Sequence, residues 1–290
     1  TPYPVPRTPY PVTKKEKASV VLDRLREAIP EPETELDFRN EFELLVAVIL
    51  SAQCTDKRVN LVTPSLFEAY PTATAMAEAS PDEIFELIKS ISFPNNKAKA
   101  LAKTARMLRD EHGGEVPRAH ADLVKLAGVG RKTANVVVQV AFGEAAIAVD
   151  THVFRVANRI GLVADKATPL AVEQGLRRVL DRDDWGEAHH LLILHGRYTC
   201  LARTPACERC PLTDVCDYFA ALQRLPAPIP GLAKSQGRYY SKTADRYFDE
   251  PATKTDRQGV EQIADPWTGS MNVYDTRTGR TTKRVKDYRI

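Results

Sequence analysis

The sequence predicts an all-α protein. Apolar residues recur with helical period almost without interruption from Ala18 to about Phe219, and the breaks between the periodic segments are short. Nowhere in the chain do apolar and polar residues alternate as they do in strands. With 290 residues, of which 43% are hydrophobic, the chain is long enough to bury the core of one large domain or two medium ones.

The chain opens with a proline-rich arm, which we expect to be flexible over residues 1–17. Five prolines and a near-repeat of Thr-Pro-Tyr-Pro-Val occupy its first twelve positions. Proline lacks the amide hydrogen that a helix needs and favours extended backbone.

Helices follow in order along the body of the chain. An amphipathic helix begins around Val20 and ends at Pro30, and the stretch 42–50 is apolar nearly all round, which is typical of a buried central helix. Pro81 opens the next helix, because proline suits a first helical position. Further helices are predicted at 97–108, 117–127, 131–142, 151–160, 169–180 and 187–194.

Beyond Gln223 the composition changes. Residues 225–233 are rich in proline and alanine, and residues 234–290 are polar with scattered aromatic side chains. Over 223–290 we therefore expect a linker and a weakly structured, basic-aromatic extension.

The net charge of +3 is unevenly distributed. Residues 1–17 carry +3 and residues 234–290 carry +4, so the body 18–233 carries −4. Bulk charge therefore does not explain nucleic-acid binding by the body, which would depend on individual basic residues and backbone amides.

The sequence indicates neither a membrane span nor a secretion signal. No apolar run approaches the roughly 20 residues that cross a bilayer, and the N-terminal stretch has no apolar signal core. We expect a cytoplasmic protein whose five cysteines are metal ligands or free thiols.

Four cysteines form a cluster, Cys200, Cys207, Cys210 and Cys216, with the spacing C-x6-C-x2-C-x5-C. Four thiolates in so short a loop suit either zinc or an iron–sulfur cluster, and the spacing alone does not choose between them. Two disulfides are the alternative in an oxidising compartment. Cys54 is remote and fits a buried small residue or a free thiol.

A glycine turn, Gly128-Val129-Gly130, lies between two helical patterns. Amides at the start of the second helix can bind a phosphate without reading a base, although a lone Gly-x-Gly also serves as a plain connection. The cations Arg131 and Lys132 begin that helix, where they oppose the helix dipole, and an anionic partner would explain their position.

Lys132 and Asp150 are the candidate catalytic residues. An unprotonated lysine amine is a nucleophile that forms Schiff bases, whereas most lysines are solvated surface residues. Asp150 follows an apolar run and precedes a helix, so it is either a common N-cap or an anion that stabilises a cationic sugar.

Taken together, these motifs resemble the endonuclease III family of helix-hairpin-helix DNA glycosylases. The resemblance covers about Ala18 to Tyr218 and rests on the four cysteines and on four further segments, Leu50-Ser-Ala-Gln-Cys-Thr-Asp56, Gly128-Val-Gly-Arg-Lys-Thr-Ala-Asn-Val136, Val149-Asp-Thr-His152 and His195-Gly-Arg-Tyr198.

The resemblance implies a bifunctional glycosylase and AP lyase that excises oxidised pyrimidines of the thymine-glycol type and cuts the abasic site by β-elimination. Lys132 would be the Schiff-base nucleophile, Asp150 the essential carboxylate, and the four cysteines the ligands of a [4Fe–4S] cluster. The implied fold has two helical subdomains, residues 37–148 with the hairpin and residues 18–36 plus 149–222 with the cluster loop, with the DNA groove between them.

The resemblance also implies the DNA contacts. Gln53 would fill the gap left by a flipped nucleotide, and Phe93 would be the apolar wedge in a loop that departs from the family's Gly-Leu-Tyr-Asn pattern. A second departure is Ala127, where the family usually has proline. The remaining expected contacts are Gly128, Val129, Gly130, Arg131, Thr133, Arg197 and Arg203.

The expected partner is double-stranded DNA that carries a damaged pyrimidine or an abasic site. We expect a monomer that does not associate with membranes and that is found at the nucleoid through its binding to DNA. Two alternatives remain, a monofunctional glycosylase of the same fold and a non-catalytic DNA-damage-binding protein. The first lacks a lysine at the position of Lys132, and the second has no need for both Lys132 and Asp150.

Overall fold

The computed structural model describes residues 13–163 and 168–223, together with the backbone of six short strands between 239 and 285. The predicted arm over residues 1–12 and the predicted linker over 225–233 lie outside the described residues. Within the described residues, no helix has the length and apolar character that a membrane crossing requires.

The prediction of an all-helical body is confirmed. The described residues contain twelve α-helices, with 3₁₀ turns at Arg182–Asp184 and Cys207–Arg209. In chain order the helices are α1 (Lys14–Ala28), α2 (Glu41–Ser51), α3 (Asp56–Ala69), α4 (Ala73–Ala77), α5 (Pro81–Ile88), α6 (Pro94–His112), α7 (His120–Leu123), α8 (Arg131–Phe142), α9 (Thr151–Ile160), α10 (Pro169–Val179), α11 (Trp185–Tyr198) and α12 (Asp217–Gln223).

The chain divides into two compact units, Thr1–Arg197 and Tyr198–Ile290. The first contains α1 to α10 and nearly all of α11, and the second contains the four-cysteine loop, α12 and the strands. This boundary differs from the predicted domain boundaries at 148 and 222, so the division into two helical subdomains stays a prediction.

Helix α2 lies at the centre of the first unit. Every residue from Phe42 to Leu50 is buried, as the apolar run predicts, and the helix packs against α3, α6 and α8. Its core cluster is drawn from residues between Leu36 and Ala148. Burying so continuous an apolar surface is the main source of stability available to this unit.

Helix α1 begins earlier than predicted, at Lys14, so the arm does not extend to residue 17. The side chain of Thr13 accepts a hydrogen bond from the amide of Glu16, and the carboxylate of Glu16 accepts one from the amide of Thr13. This reciprocal capping box satisfies two helix-end amides, and the sequence pattern Thr-x-x-Glu was the overlooked signal.

Two further helix predictions need correction. Helix α3 was not predicted, because Pro64 interrupts its pattern, although Thr55 caps its start. The helix expected at 117–127 is only the four residues of α7. After α7 the amides of Lys125 and Leu126 bond three residues back, so the chain continues as tight turns.

The expectation that the chain has no strands is wrong, whereas the weakly structured character expected of residues 223–290 stays a prediction. The structure contains six short strands, and a signal of alternation needs more residues than these have. The strands are β1 (Tyr239–Ser241), β2 (Arg246–Phe248), β3 (Ala252–Thr255), β4 (Glu261–Ala264), β5 (Met271–Asp275) and β6 (Arg280–Val285). Strands β1 and β2 pair antiparallel, and β3 to β6 form a second antiparallel sheet in sequential order.

The glycine turn before α8 is docked against α6. Gly128 has a φ of +77°, and a Cβ built on it would lie 2.9 Å from the Cβ of Ala100. The hydroxyl of Thr104 donates to the carbonyl of Ala127 at 2.7 Å. At Gly130, by contrast, no described atom beyond its chain neighbours lies within 4 Å of a built Cβ.

Replacing Gly128 by alanine is expected to destabilise the protein by about 1–3 kcal/mol, because the side chain would be strained and would collide with α6. The matched change Gly130→Ala is expected to cost less than about 1 kcal/mol, since its φ is ordinary and the space is open. Urea denaturation of the two variants compares these costs. Equal losses at the two positions would contradict the docking described here.

Candidate active site

A cavity of about 550 Å³ brings together the residues predicted for catalysis. Lys132, Asp150 and Gln53 all line it. Its walls come from the turn after α2, the first turns of α8 and α9, the inner face of α11 and the segment 33–36. Its volume is within the range of ligand-binding sites in proteins.

Lys132 is the second residue of α8, and it is exposed. Gly130 occupies the N-cap position and has no side chain that could accept a hydrogen bond. The first amides of α8, which form the positive end of the helix dipole, are therefore not capped by a side chain of the N-cap residue. Thr133 also lines the cavity, whereas the side chain of Val129 is buried.

Asp150 is the N-cap of α9. Its Oδ1 atom accepts hydrogen bonds from the amides of His152 and Val153, both at 2.8 Å. Within the described residues its Oδ2 atom makes no hydrogen bond. The two interpretations of this residue are therefore compatible, since capping holds the carboxylate rigid and occupies only one of its two oxygens.

His189 interacts electrostatically with both candidate catalytic residues, Lys132 and Asp150. It is buried, it lines the cavity, and its Nδ1–H donates to the carbonyl of Ala148 at 2.8 Å. Burial lowers the pKa of His189; the charges of His190 and Lys132 lower it further, and Asp150 opposes them. A neutral imidazole thus lies within the fields of both Lys132 and Asp150, and sequence reasoning missed it because no motif marks it.

Arg197 lies in the cavity wall and is held by two carboxylates. Its guanidinium forms ion pairs with Asp56 at 2.7 Å and with Glu35. Glu35 and Asp56 also line the cavity, and sequence reasoning gave neither a role. Their pairing with Arg197 spans up to 162 residues of sequence, so no local pattern could have indicated it.

Arg131 also has a partner within the protein. Its guanidinium donates to both oxygens of Glu173, at 2.9 and 2.6 Å, and Glu173 is buried. The anion that the sequence argument required beside Arg131 is thus supplied by α10. Arg203, the remaining basic residue among the predicted contacts, is exposed in the cysteine loop of the second unit.

Gln53 and Phe93 share an unusual backbone conformation. Among the described residues they are the two non-glycine residues with positive φ, each at 55°. Left-handed backbone is costly for such side chains and concentrates at functional sites. Both side chains are exposed, Phe93 with 59% of its surface accessible, although Phe93 does not line the cavity.

The four clustered cysteines form no disulfide within the described residues, and they are half-buried in the second unit. Burial, and then the neighbouring thiols of the other three cysteines, raise the pKa of Cys210 to about 11. The four sulfurs thus lie near one another, although no three His, Cys, Asp or Glu side chains in the described part of the chain are arranged around a single metal ion. Soft thiol donors of this number fit an iron–sulfur cluster.

Comparison with known proteins agrees with this arrangement. Residues 46–182 match the model of the HhH-GPD superfamily base excision DNA repair protein, and residues 200–216 match the iron–sulfur binding domain of endonuclease III. Endonuclease III of Bacillus subtilis strain 168 is 50% identical over 195 residues, which make up 67% of this chain and 89% of that protein.

Two solved structures are similar to this chain. One is a trapped endonuclease III–DNA covalent intermediate, an estranged-adenine complex, with 46% identity and a TM-score of 0.69 over 72% of this chain and 99% of that chain. The other is a non-covalent endonuclease III–DNA complex, with 45% identity and a TM-score of 0.69 over 72% and 98% of the two chains.

Three buried histidines of α11 are expected to make the folded protein less stable as the pH falls. Burial lowers the pKa of His195 to about 4 and also lowers those of His189 and His190. Below its ordinary pKa near 6.5 each histidine is protonated more readily in the unfolded chain than in the folded protein, so stability falls as the pH falls. From about pH 7.5 to about pH 5.5, His189 and His195 are each expected to remove about 1.4 kcal/mol of stability.

Urea denaturation across this pH range measures the effect. His195→Gln is expected to be less stable than wild type at neutral pH but to lose about 1.4 kcal/mol less stability on acidification. A wild-type stability that does not change over this range would contradict the expected neutral state of these side chains.

Proposed function

The chain belongs to the endonuclease III family of base excision repair enzymes, and we propose that Lys132 is the nucleophile with which it excises damaged pyrimidines. The chain is a DNA glycosylase with AP lyase activity, and it binds DNA. The observation that carries the proposal is that Lys132 and Asp150 share one cavity of about 550 Å³, large enough to receive an extruded nucleotide.

The proposed reaction begins at the Lys132 amine. The unprotonated Nζ attacks the sugar C1′, the C1′–N glycosidic bond breaks, and the base leaves with the bonding electrons and takes up a proton. Opening of the sugar ring gives a Schiff base between Nζ and C1′. Removal of a C2′ proton then expels the 3′ phosphate, which cuts the strand, and water releases the lysine.

Asp150 is proposed to stabilise the positive charge that develops on the sugar and to move protons during elimination. Its position supports this role, because Oδ1 is fixed by two amides and Oδ2 makes no hydrogen bond within the described residues. The neutral His189 beside it adds no competing positive charge.

Gln53 and Phe93 are proposed to open the duplex. Gln53 would occupy the place of the extruded nucleotide, and Phe93 would act as an apolar wedge between base steps. Their shared left-handed backbone and exposure support this role, since exposed side chains on strained turns are poor contributors to stability.

The start of α8 is proposed to bind one DNA phosphate. Its amides are aligned with the helix dipole, and the open space at Gly130 lets a phosphate oxygen approach the backbone. Arg131 and Arg197 already form ion pairs with carboxylates of the protein. We therefore propose that their main role is to hold the site in shape rather than to contact DNA. Arg203 is proposed to contact the phosphate backbone from the cysteine loop.

The cofactor is an iron–sulfur cluster of the [4Fe–4S] type. Cys200, Cys207, Cys210 and Cys216 are proposed as its ligands. When bound, such a cluster crosslinks its loop and supplies a centre that can change charge on oxidation. The protein is further proposed to be a monomer that acts on duplex DNA with oxidised pyrimidines. DNA binding would place it at the nucleoid.

Lys132→Gln is expected to abolish borohydride trapping on a thymine-glycol duplex, because an amide cannot form a Schiff base. Asp150→Asn is expected to slow single-turnover excision by about 10²- to 10⁴-fold while preserving the helix cap and hence the fold. Gel analysis of trapped and cleaved DNA measures both. Wild-type trapping by the Lys132 variant would remove it as the nucleophile.

Cys210→Ser is expected to lose the brown colour and the bound iron of the purified protein, since one ligand of the cluster disappears. Cys54→Ser is the matched control, because Cys54 packs beside the core of the first unit and is expected to keep both. Iron content and visible absorption measure the outcome. Full iron occupancy in the Cys210 variant would exclude it as a ligand.

A further inference from the structure

Lys97 is a buried lysine that closes the end of α2. Only 7% of its surface is accessible, and its Nζ donates to the carbonyls of Leu50 at 2.8 Å and Ala52 at 2.6 Å. These carbonyls belong to the last residues of α2 and to the turn that follows. Because Gln53 is the next residue, the ammonium fixes the backbone from which Gln53 projects.

The same residue also holds the segment of Phe93. The amide of Lys97 donates to the carbonyl of Phe93 at 3.2 Å, which forms the first turn of α6. Lys97 therefore bonds through its side chain to the turn of Gln53 and through its backbone to Phe93. These are the two residues with left-handed backbone among the described non-glycine residues.

Stability alone does not require a lysine at this position. Burial lowers the pKa of Lys97, with the thiol of Cys54 opposing this effect, so the protein pays to keep an ammonium here. In the described part of the chain no carboxylate forms an ion pair with it. Ends of helices are ordinarily closed by glycine or water at a smaller cost.

We propose that Lys97 is a positioning residue that couples Gln53 to Phe93, so that the two side chains enter the duplex as one unit. The inference rests on the proposed insertion of both side chains. Loss of the two side-chain hydrogen bonds would let the Gln53 turn relax independently of α6, and opening of the duplex would then proceed without cooperation between the two sites.

A double-mutant cycle on a paired thymine-glycol duplex tests the coupling. In the wild-type background, Gln53→Ala and Phe93→Ala are expected to be non-additive in the single-turnover excision rate. In the Lys97→Met background, which keeps an unbranched side chain but removes the donors, their effects are expected to multiply. Lys97→Met alone is expected to slow excision about tenfold on the paired duplex.

A second substrate separates positioning from general damage to the fold. When the lesion lies in an unpaired bubble, no opening is needed, and Lys97→Met is expected to regain the wild-type rate. Lys17→Met removes another buried lysine, 8% accessible and on α1, and is the matched control. It is expected to affect both substrates equally. Circular dichroism checks that each variant is folded.

Equal slowing of Lys97→Met on both substrates, or unchanged coupling between Gln53 and Phe93, would overturn the inference. If Lys97→Met does not fold, Lys97→Arg replaces it, since arginine keeps the charge but not the compact donor geometry. Unchanged coupling in that variant would overturn the inference in the same way. Failure of the proposed function itself is distinguishable, because wild-type protein would then neither excise nor trap the lesion.

Discussion

The burial of α2 is the constraint on which the site depends. Because this helix is enclosed on all sides, it fixes the core against which α8 packs and sets where its own last turn emerges. Lys132 at the start of α8 and Gln53 after the end of α2 consequently line one cavity. Tight packing of this kind resists deformation, so the core holds the turn after α2 and the start of α8 in place relative to each other.

Charge placement accounts for DNA binding by a body whose net charge is −4. Two of the predicted basic contacts, Arg131 and Arg197, are already neutralised by Glu173 and by Asp56 with Glu35. In the proposed function, attraction to phosphate therefore comes from a few sites, among them Arg203 and the amides that begin α8. The affinity for DNA depends on salt only through those basic side chains that are not already paired with a carboxylate of the protein.

Residues within contiguous motifs were predictable, and residues that act through distant partners were not. Lys132, Asp150 and Gln53 could be selected as candidates because each belongs to a short segment with a recognisable pattern, and all three line one cavity. Glu173 and Lys97 could not, since their partners lie 42 and up to 47 residues away and no period connects them. The strands of the extension were missed for a different reason, because three to six residues are too few to show alternation.

The central claim is that one amine forms the bond to the sugar. Borohydride reduction of the complex with a thymine-glycol duplex, followed by nuclease and protease digestion and tandem mass spectrometry, locates that bond directly. We predict that the deoxyribose remnant is attached to the Nζ atom of Lys132. A remnant on another lysine or on the N-terminal amine would contradict it.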